Sequence, residues 1–457
     1  MFKKTRKLLA LVLSITMILT AAAGCGSTGG EPAAADSPKA TGQNQENTEN
    51  PTAQPDTEPT GDSKESSEEG LHKLTQEDVL EIYDPVVKAE YKDDSMTEAV
   101  KSGSGKDLEL TEEEKEKIRS MNLTVALEQD HLDDSMKLVQ QAFRDQCADL
   151  NIELKDIWVA PAQDGSSQME DYQRIEAIAQ DYDAIFTCPS DAAMQTEILK
   201  KIMKKTKVGF MLAVPFDQDW NDPNFIGITD IDAYQAGVYS AKAAVKINNG
   251  KGKIGTIGYI NGKNGTINTC YQRYVGWDDV FAENPDVEVV QEWYDDPAES
   301  KSVITGLLAS NPDISVLLID WANPPADSAQ TAFKELGYEP WKDISMVTID
   351  IDNTITIPMA TDGPDNNYTG AFVAQTWYTA GANLIKMYAK HLLAEETGAE
   401  YPRFVVSSPL PVTVYDNLKT NFTYCMPETV TEIPMPPEID ALENQWDLGV
   451  EDIWTKQ

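Results

Sequence analysis

The 457 residues suffice for two or three domains of ordinary size, each with a substantial core. A formal net charge of −39 argues against a nucleic-acid partner, which needs a basic face, and reads most simply as solubility. Three histidines (His72, His131, His391) and five cysteines without a Cys-x-x-Cys spacing argue against a zinc cage, and no cofactor is expected.

Residues 1–25 read as a targeting leader outside the fold. Lys3, Lys4, Arg6 and Lys7 form a basic start, Leu8 to Leu19 an apolar run, and Ala21 to Gly24 a small-residue approach to Cys25. The arrangement resembles a bacterial lipoprotein signal, with Ala22 where leucine is usual. That resemblance implies cleavage before Cys25 and its lipidation; an ordinary secretory signal with a chance cysteine is the plainer alternative. No later apolar run is long enough to span a bilayer, so the mature chain is expected outside the cytoplasm. Cys147, Cys188, Cys270 and Cys425 then allow two disulfides in three connectivities, or free thiols.

Residues 26–70 are Gly, Ser, Thr, Pro, Gln, Asn and Glu with almost no large apolar side chain, the composition of a disordered tether. Residues 71–121 read as a helical lead-in on the surface of the core. Thr75 and Thr111 stand in capping positions, each followed by acids in the first turn.

From Asn122 strands alternate with amphipathic helices, the rhythm of a doubly wound parallel α/β sheet. Strands are expected at 123–127, 152–159, 184–186 and 208–214, with helices at 135–150, 167–180 and 192–204 between them. A second array follows, with helices at 234–247, 273–283, 299–310 and 325–336 and strands at 254–259, 287–293, 316–319 and 346–349. A strand at 368–374, a helix at 376–393 and short extended pieces close the chain. Within the second array the apolar strand from Lys253 runs into a polar loop with Gly262 and Gly265. A helix then opens around Thr269, carrying Arg273 in its first turns with Gly276 and Trp277 packed behind. Such a strand-loop-helix edge is where open α/β sheets hold ligands.

Several phrases, in order, resemble the type I periplasmic sugar-binding proteins, the ribose/galactose-binding family of ABC-importer receptors. They are Ile175 to Ile178 with Asp183 to Ile185, then Pro189 to Asp191, Asp232 to Gly237, Gly252 to Gly258, Arg273 to Gly276, Ala371 to Gln375, and Leu410 to Asn417. The resemblance covers roughly residues 122 to 420. It implies two doubly wound parallel-sheet lobes joined by a three-crossover hinge near Asp232, Gln375 and Pro409. The N-terminal lobe would hold 122–231 plus 376–409, and the C-terminal lobe 232–375 plus 410–426. Beyond the resemblance, the Pro-rich residues 427–457 read as an irregular surface strap, helical only near Ile453.

A sugar offers hydroxyls on its rim and weakly apolar CH faces, so carboxylates, amides, guanidinium groups and aromatic rings suit it. Carried over by the resemblance, the ligand-binding candidates are Arg273, Asp350, Gln375, Asn323 and Trp321. With an insertion after the fourth strand, Asp217, Asp219 and the ring of Trp220 join them. His131, with Asp133 and Asp134, is a further candidate in the first loop; a solvated charged loop is the plainer reading there. Two departures stand out: Ser135 and Met136 replace the expected aromatics of the first helix, and Val214 and Pro215 an aspartate-arginine pair. The stretch Asp217 to Asp222 imitates a calcium loop but lacks the glycine at position six and a glutamate at position twelve, where Ile228 stands.

The function implied is a lipid-anchored, monomeric receptor delivering a monosaccharide to an ABC permease. The competing reading is a ligand-sensing ectodomain that docks on a membrane kinase or chemoreceptor. An exported hydrolase is disfavoured, because no G-x-S-x-G elbow is present and His131 and His391 have no evident nucleophile partner.

Overall fold

The computed structural model describes residues 70–84, 90–92, 98–161, 165–264, 268–426, 429–430 and 433–449. The leader, Cys25, nearly all of the tether, Gly265 and Ile453 lie outside these residues.

The first strands are a short antiparallel pair, β1 (Glu90–Tyr91) and β2 (Val100–Lys101). A parallel array follows: β3 (Thr124–Gln129), β4 (Glu153–Val159), β5 (Ala184–Thr187), β6 (Lys207–Met211) and β7 (Phe225–Ile231). The second array is β8 (Gly252–Tyr259), β9 (Val287–Tyr294), β10 (Ile314–Ile319), β11 (Ser345–Ile349) and β12 (Thr369–Val373). The last strand, β13 (Phe404–Ser407), returns to the first array. One sheet has the order β13-β7-β6-β5-β3-β4 and the other β12-β11-β10-β8-β9, every pairing within them parallel. Near-continuous apolar runs such as β10 are what a parallel strand covered by helices on both faces requires. This is the two-lobed, doubly wound architecture expected from the sequence.

The chain passes between the sheets three times. Asp232 separates β7 from the helix Ala233–Ile247, Gln375 lies between β12 and the helix Trp377–Thr397, and the third passage follows β13. The passages are bonded to one another: Asp232 N–H donates to Ser407 O (2.9 Å), Thr376 Oγ1 to Ser408 O (2.9 Å), and Leu410 N–H to Ala374 O (2.9 Å).

Some elements differ from expectation. The strands β7 and β13 and the helix Asn353–Asn366 escape the pattern, the helix because Pro358, Gly363 and Pro364 interrupt it. The piece from Leu410, one of the short extended pieces expected at the end of the chain, forms no regular strand. A single antiparallel bridge joins Thr413 to Phe372, and the chain then turns into the helix Leu418–Cys425. The polar loop after β8 starts as a helical turn, Ile260–Lys263. All four described cysteines are free and buried.

The lead-in is more than surface decoration. The helix Gln76–Ile82, capped by Thr75, buries Val79 and Ile82 against the C-terminal lobe. The helix Glu112–Arg119, capped by Thr111, buries Ile118 in a core cluster with Leu123 and Leu150.

Candidate functional site

A cavity of about 1270 Å³ opens between the lobes, lined by loops that follow the carboxyl ends of strands from both sheets. On the C-terminal side these include Trp321 to Pro324 after β10 and Asp350 to Asp352 after β11, with Arg273 from the helix Asn268–Glu283.

Arg273 is 2% exposed. Its Nη1 donates to the Asp320 carbonyl (2.7 Å), and its Nη2 donates to Asp350 Oδ2 (2.8 Å) and to Gln375 Oε1. The helix reaches this position because two glycines allow it to touch its neighbour. A Cβ on Gly237 would stand 2.2 Å from Arg273 O, and one on Gly276 would stand 2.5 Å from Tyr234 O. Trp277 locks the contact with an indole N–H donated to Ser240 Oγ (3.0 Å).

Asp350 adopts a φ of 71°, a left-handed backbone that costs energy in a residue with a Cβ. The turn aims its carboxylate so that Oδ2 meets Arg273 while Oδ1 accepts from Trp377 Nε1 (3.0 Å). Behind them Asp320 is fully buried, accepting from Tyr274 Oη (2.7 Å), Tyr294 Oη (2.9 Å) and the Tyr259 N–H (2.9 Å). Burial raises its pKa to about 6, against the pull of Tyr274 and Arg273. Trp321 lines the cavity, edge-on to Tyr259 and Tyr294, and its Nε1 has no hydrogen-bond partner among the described residues.

The opposite wall carries His131, whose Nδ1 lies 2.8 Å from Asp130 Oδ1 and whose Nε2 lies 3.5 Å from Asp133 Oδ2. Burial opposes its charge, but the two carboxylates outweigh burial and hold its pKa well above the ordinary value. Much of the acidity around the cleft is helix capping: Asp133, Asp191, Asp232 and Asp352 each accept from a first-turn N–H. Asp230 is different. Its carboxyl lines the cavity, accepts from the Ile231 N–H (2.7 Å), and is raised by burial to about 8.

Of the residues expected at the site, Arg273, Asp350, Asn323, Trp321 and His131 line the cavity. Gln375 is wholly buried, is not part of the lining, and holds Arg273 from behind. Asp217, Asp219 and Trp220 are not in the lining either. Asp217 and Asp219 are exposed, Asp219 accepting from the Asn221 N–H (2.9 Å), while Trp220 packs its ring on Phe225 (5.2 Å) and Tyr91 (5.7 Å). Ser135, Met136 and Val214 do face the cavity, and Val214 N–H points to Tyr91 Oη from the lead-in (3.4 Å). Sequence reasoning missed Trp377, Asp230 and Tyr91. Trp377, two residues past Gln375, was the most legible of the three.

The sequence pattern of the periplasmic binding protein domain family matches residues 130–396, more than half of the chain. The chain belongs to that family. It is a family of extracytoplasmic solute-binding receptors rather than enzymes, and no helix of the described residues is long and apolar enough to cross a membrane. No curated protein matches the chain in sequence. Among solved structures, this periplasmic binding protein is similar to an ABC sugar transporter subunit from Rhodobacter sphaeroides (19% identity, TM-score 0.52), over 65% of this chain and 99% of that one. It is similar to the binding component of an arabinose ABC transporter from a Shewanella species, bound to L-arabinofuranose (19% identity, TM-score 0.55, 71% and 100% covered). A third likeness is a solute-binding protein from Actinobacillus succinogenes with bound D-allose (18% identity, TM-score 0.52, 65% and 100% covered). At these identities the likeness establishes the type I fold of the periplasmic binding protein.

Proposed function

We propose that this periplasmic binding protein captures a small sugar or related polyol in the interlobe cleft and delivers it to an ABC importer. The observation that carries the reading is Arg273, a guanidinium fastened at three points in the cleft wall, with its Nε–H left without an acceptor among the described residues. A rigid fork of donors beside the Asp350 carboxylate suits vicinal hydroxyls, which both donate and accept. Trp321 offers a ring for the CH face, and Asn323 and His131 supply polar groups from either side. Gln375 acts through Arg273 rather than on the ligand. Lobe closure around the ligand would exclude water and strengthen each of these bonds. The receptor would work as a monomer outside the cell, anchored through a lipidated Cys25 and the 26–70 tether, with no cofactor and no nucleic-acid partner.

The test is a thermal-shift series on the chain from residue 26, with D-arabinose, L-arabinose, D-allose and myo-inositol as probes. One of them should raise the melting temperature in a concentration-dependent way, and the rise should vanish in Arg273→Lys. If neither these nor a wider set of monosaccharides and polyols moves the transition, the sugar reading fails. Loaded protein that binds a membrane kinase and no permease would turn the reading to sensing.

A further inference from the structure

The family match begins at residue 130, yet the segment before it is fastened to both lobes. On the C-terminal lobe, His72 N–H donates to Ile247 O (2.8 Å), and Lys246 Nζ reaches Asp78 (3.2 Å) and Glu81 (3.0 Å). Val79 and Ile82 are buried there, and the Asp84 N–H donates to Tyr239 Oη (2.9 Å). On the N-terminal lobe, Tyr91 packs on Phe404 and Trp220 (5.7 Å each). Gly103 extends the sheet by a parallel bridge to Val405, its N–H donating to Phe404 O (2.8 Å), while Ser102 Oγ accepts from the Val406 N–H (2.9 Å). Beyond it Leu108 is fully buried, and Glu109 and Glu114 pair with Lys386 (2.5 Å) and Lys390 (2.8 Å).

Between the two anchorages, Asp84, Glu90, Tyr91 and Lys92 stand in the wall of the interlobe cavity. Asp84 is held by one lobe and Tyr91 by the other. The six residue steps from Asp84 to Glu90 reach at most about 21 Å even when fully extended. Two bodies joined by so short a chain, each end docked, cannot separate beyond its reach without undocking one end. The three ordinary passages share a single hydrogen-bonded cluster, whereas this link leaves the C-terminal lobe from a different place, the Tyr239 face of the helix Ala233–Ile247.

We propose that the lead-in is a fourth connection between the lobes, one that forms part of the cleft wall and limits how far the clamp opens. The proposal rests on reading the cleft as a closing clamp, but not on which ligand it takes. Opening to admit a ligand then takes place against the strap, and Tyr91 and its neighbours move with the N-terminal wall.

The experiment measures interlobe distance without any ligand. Spin labels at Lys201→Cys and Lys334→Cys, both exposed and on opposite lobes, report the distance distribution in the chain from residue 26. Two changes release the strap differently. A flexible Gly/Ser stretch inserted after Asp84 lengthens it with both anchorages intact. Gly103→Val breaks one of its anchorages on the N-terminal lobe, because a Cβ there would stand 2.3 Å from Pro402 Cβ. Both should broaden the distribution and add a longer-distance population, and the insertion alone decides the matter if Gly103→Val fails to fold. Coincident distributions in the parent and the insertion variant would overturn the proposal. Failure of every sugar probe with the distances shifted as expected would remove the ligand reading and leave the strap standing.

Discussion

Arg273 Nη2 lies 2.8 Å from Asp350 Oδ2, in a wall where the arginine is 2% exposed and the aspartate side chain 13%. The pair joins the helix Asn268–Glu283 to the turn after β11, so the cleft wall and the C-terminal core are coupled through one ionic contact. Breaking a buried pair from one side leaves the other charge uncompensated, which typically costs about 3–5 kcal/mol. Arg273→Met should therefore lower the unfolding free energy by roughly that amount, read from urea titration, and abolish any probe-induced thermal shift. A loss below about 1 kcal/mol would show that the pair behaves as an exposed one.

The same helix is held in place by the absence of two side chains. In Gly237→Ala the new methyl would meet Arg273 O, so the helix must move away from its neighbour. We expect destabilisation of about 1–3 kcal/mol, the usual range for overpacking, together with weaker sugar binding although no ligand contact has changed. Unchanged affinity in a folded variant would disconnect that packing from the site.

Glu128 on β3 is fully buried, accepting from Gln168 Nε2 (2.9 Å) and Thr187 Oγ1 (2.5 Å). Burial raises its pKa to about 8, in spite of those hydrogen bonds. Because the folded pKa exceeds the unfolded one, the native state binds the extra proton between about pH 4.5 and 8. This group's contribution to stability therefore falls as pH rises through that window, by at most about 1.4 kcal/mol per pH unit. Glu128→Gln, which mimics the protonated form, should lose less stability than the parent between the two ends of the window, as followed by denaturant midpoints. Parallel pH profiles would rule out Glu128 as a source of the slope.

Cys147, Cys188, Cys270 and Cys425 are free and no more than 3% exposed. Burial also pushes the thiols of Cys147 and Cys270 up to about 12. In the chain from residue 26 a thiol reagent should find no fast-reacting cysteine at neutral pH, and four after unfolding. A rapid native reaction at Cys188 or Cys270, both in the cleft wall, would mean that the wall opens on its own.

The alternation of buried strands with amphipathic helices is written in local hydrophobic period, and the sequence alone determined the doubly wound class, the capped helices at Thr75 and Thr111, and Arg273 in the first turns of its helix. Asp350 and Gln375 were legible as candidates through the family resemblance, but not their different roles. Only the packing of Gly237 against the arginine's own helix put the guanidinium between the Asp350 carboxylate, which faces the cavity, and the Gln375 amide, which lies behind it. Asp217, Asp219 and Trp220 read as site residues through the resemblance, with an insertion allowed after the fourth strand, yet the loop after β6 carries them away from the cavity and Tyr91 arrives at Val214 from the lead-in. Contacts between residues more than a hundred positions apart leave no trace in periodicity or capping. They exist only after the helices and sheets have closed on one another, so the lobes could be read from the chain and the fourth link between them could not.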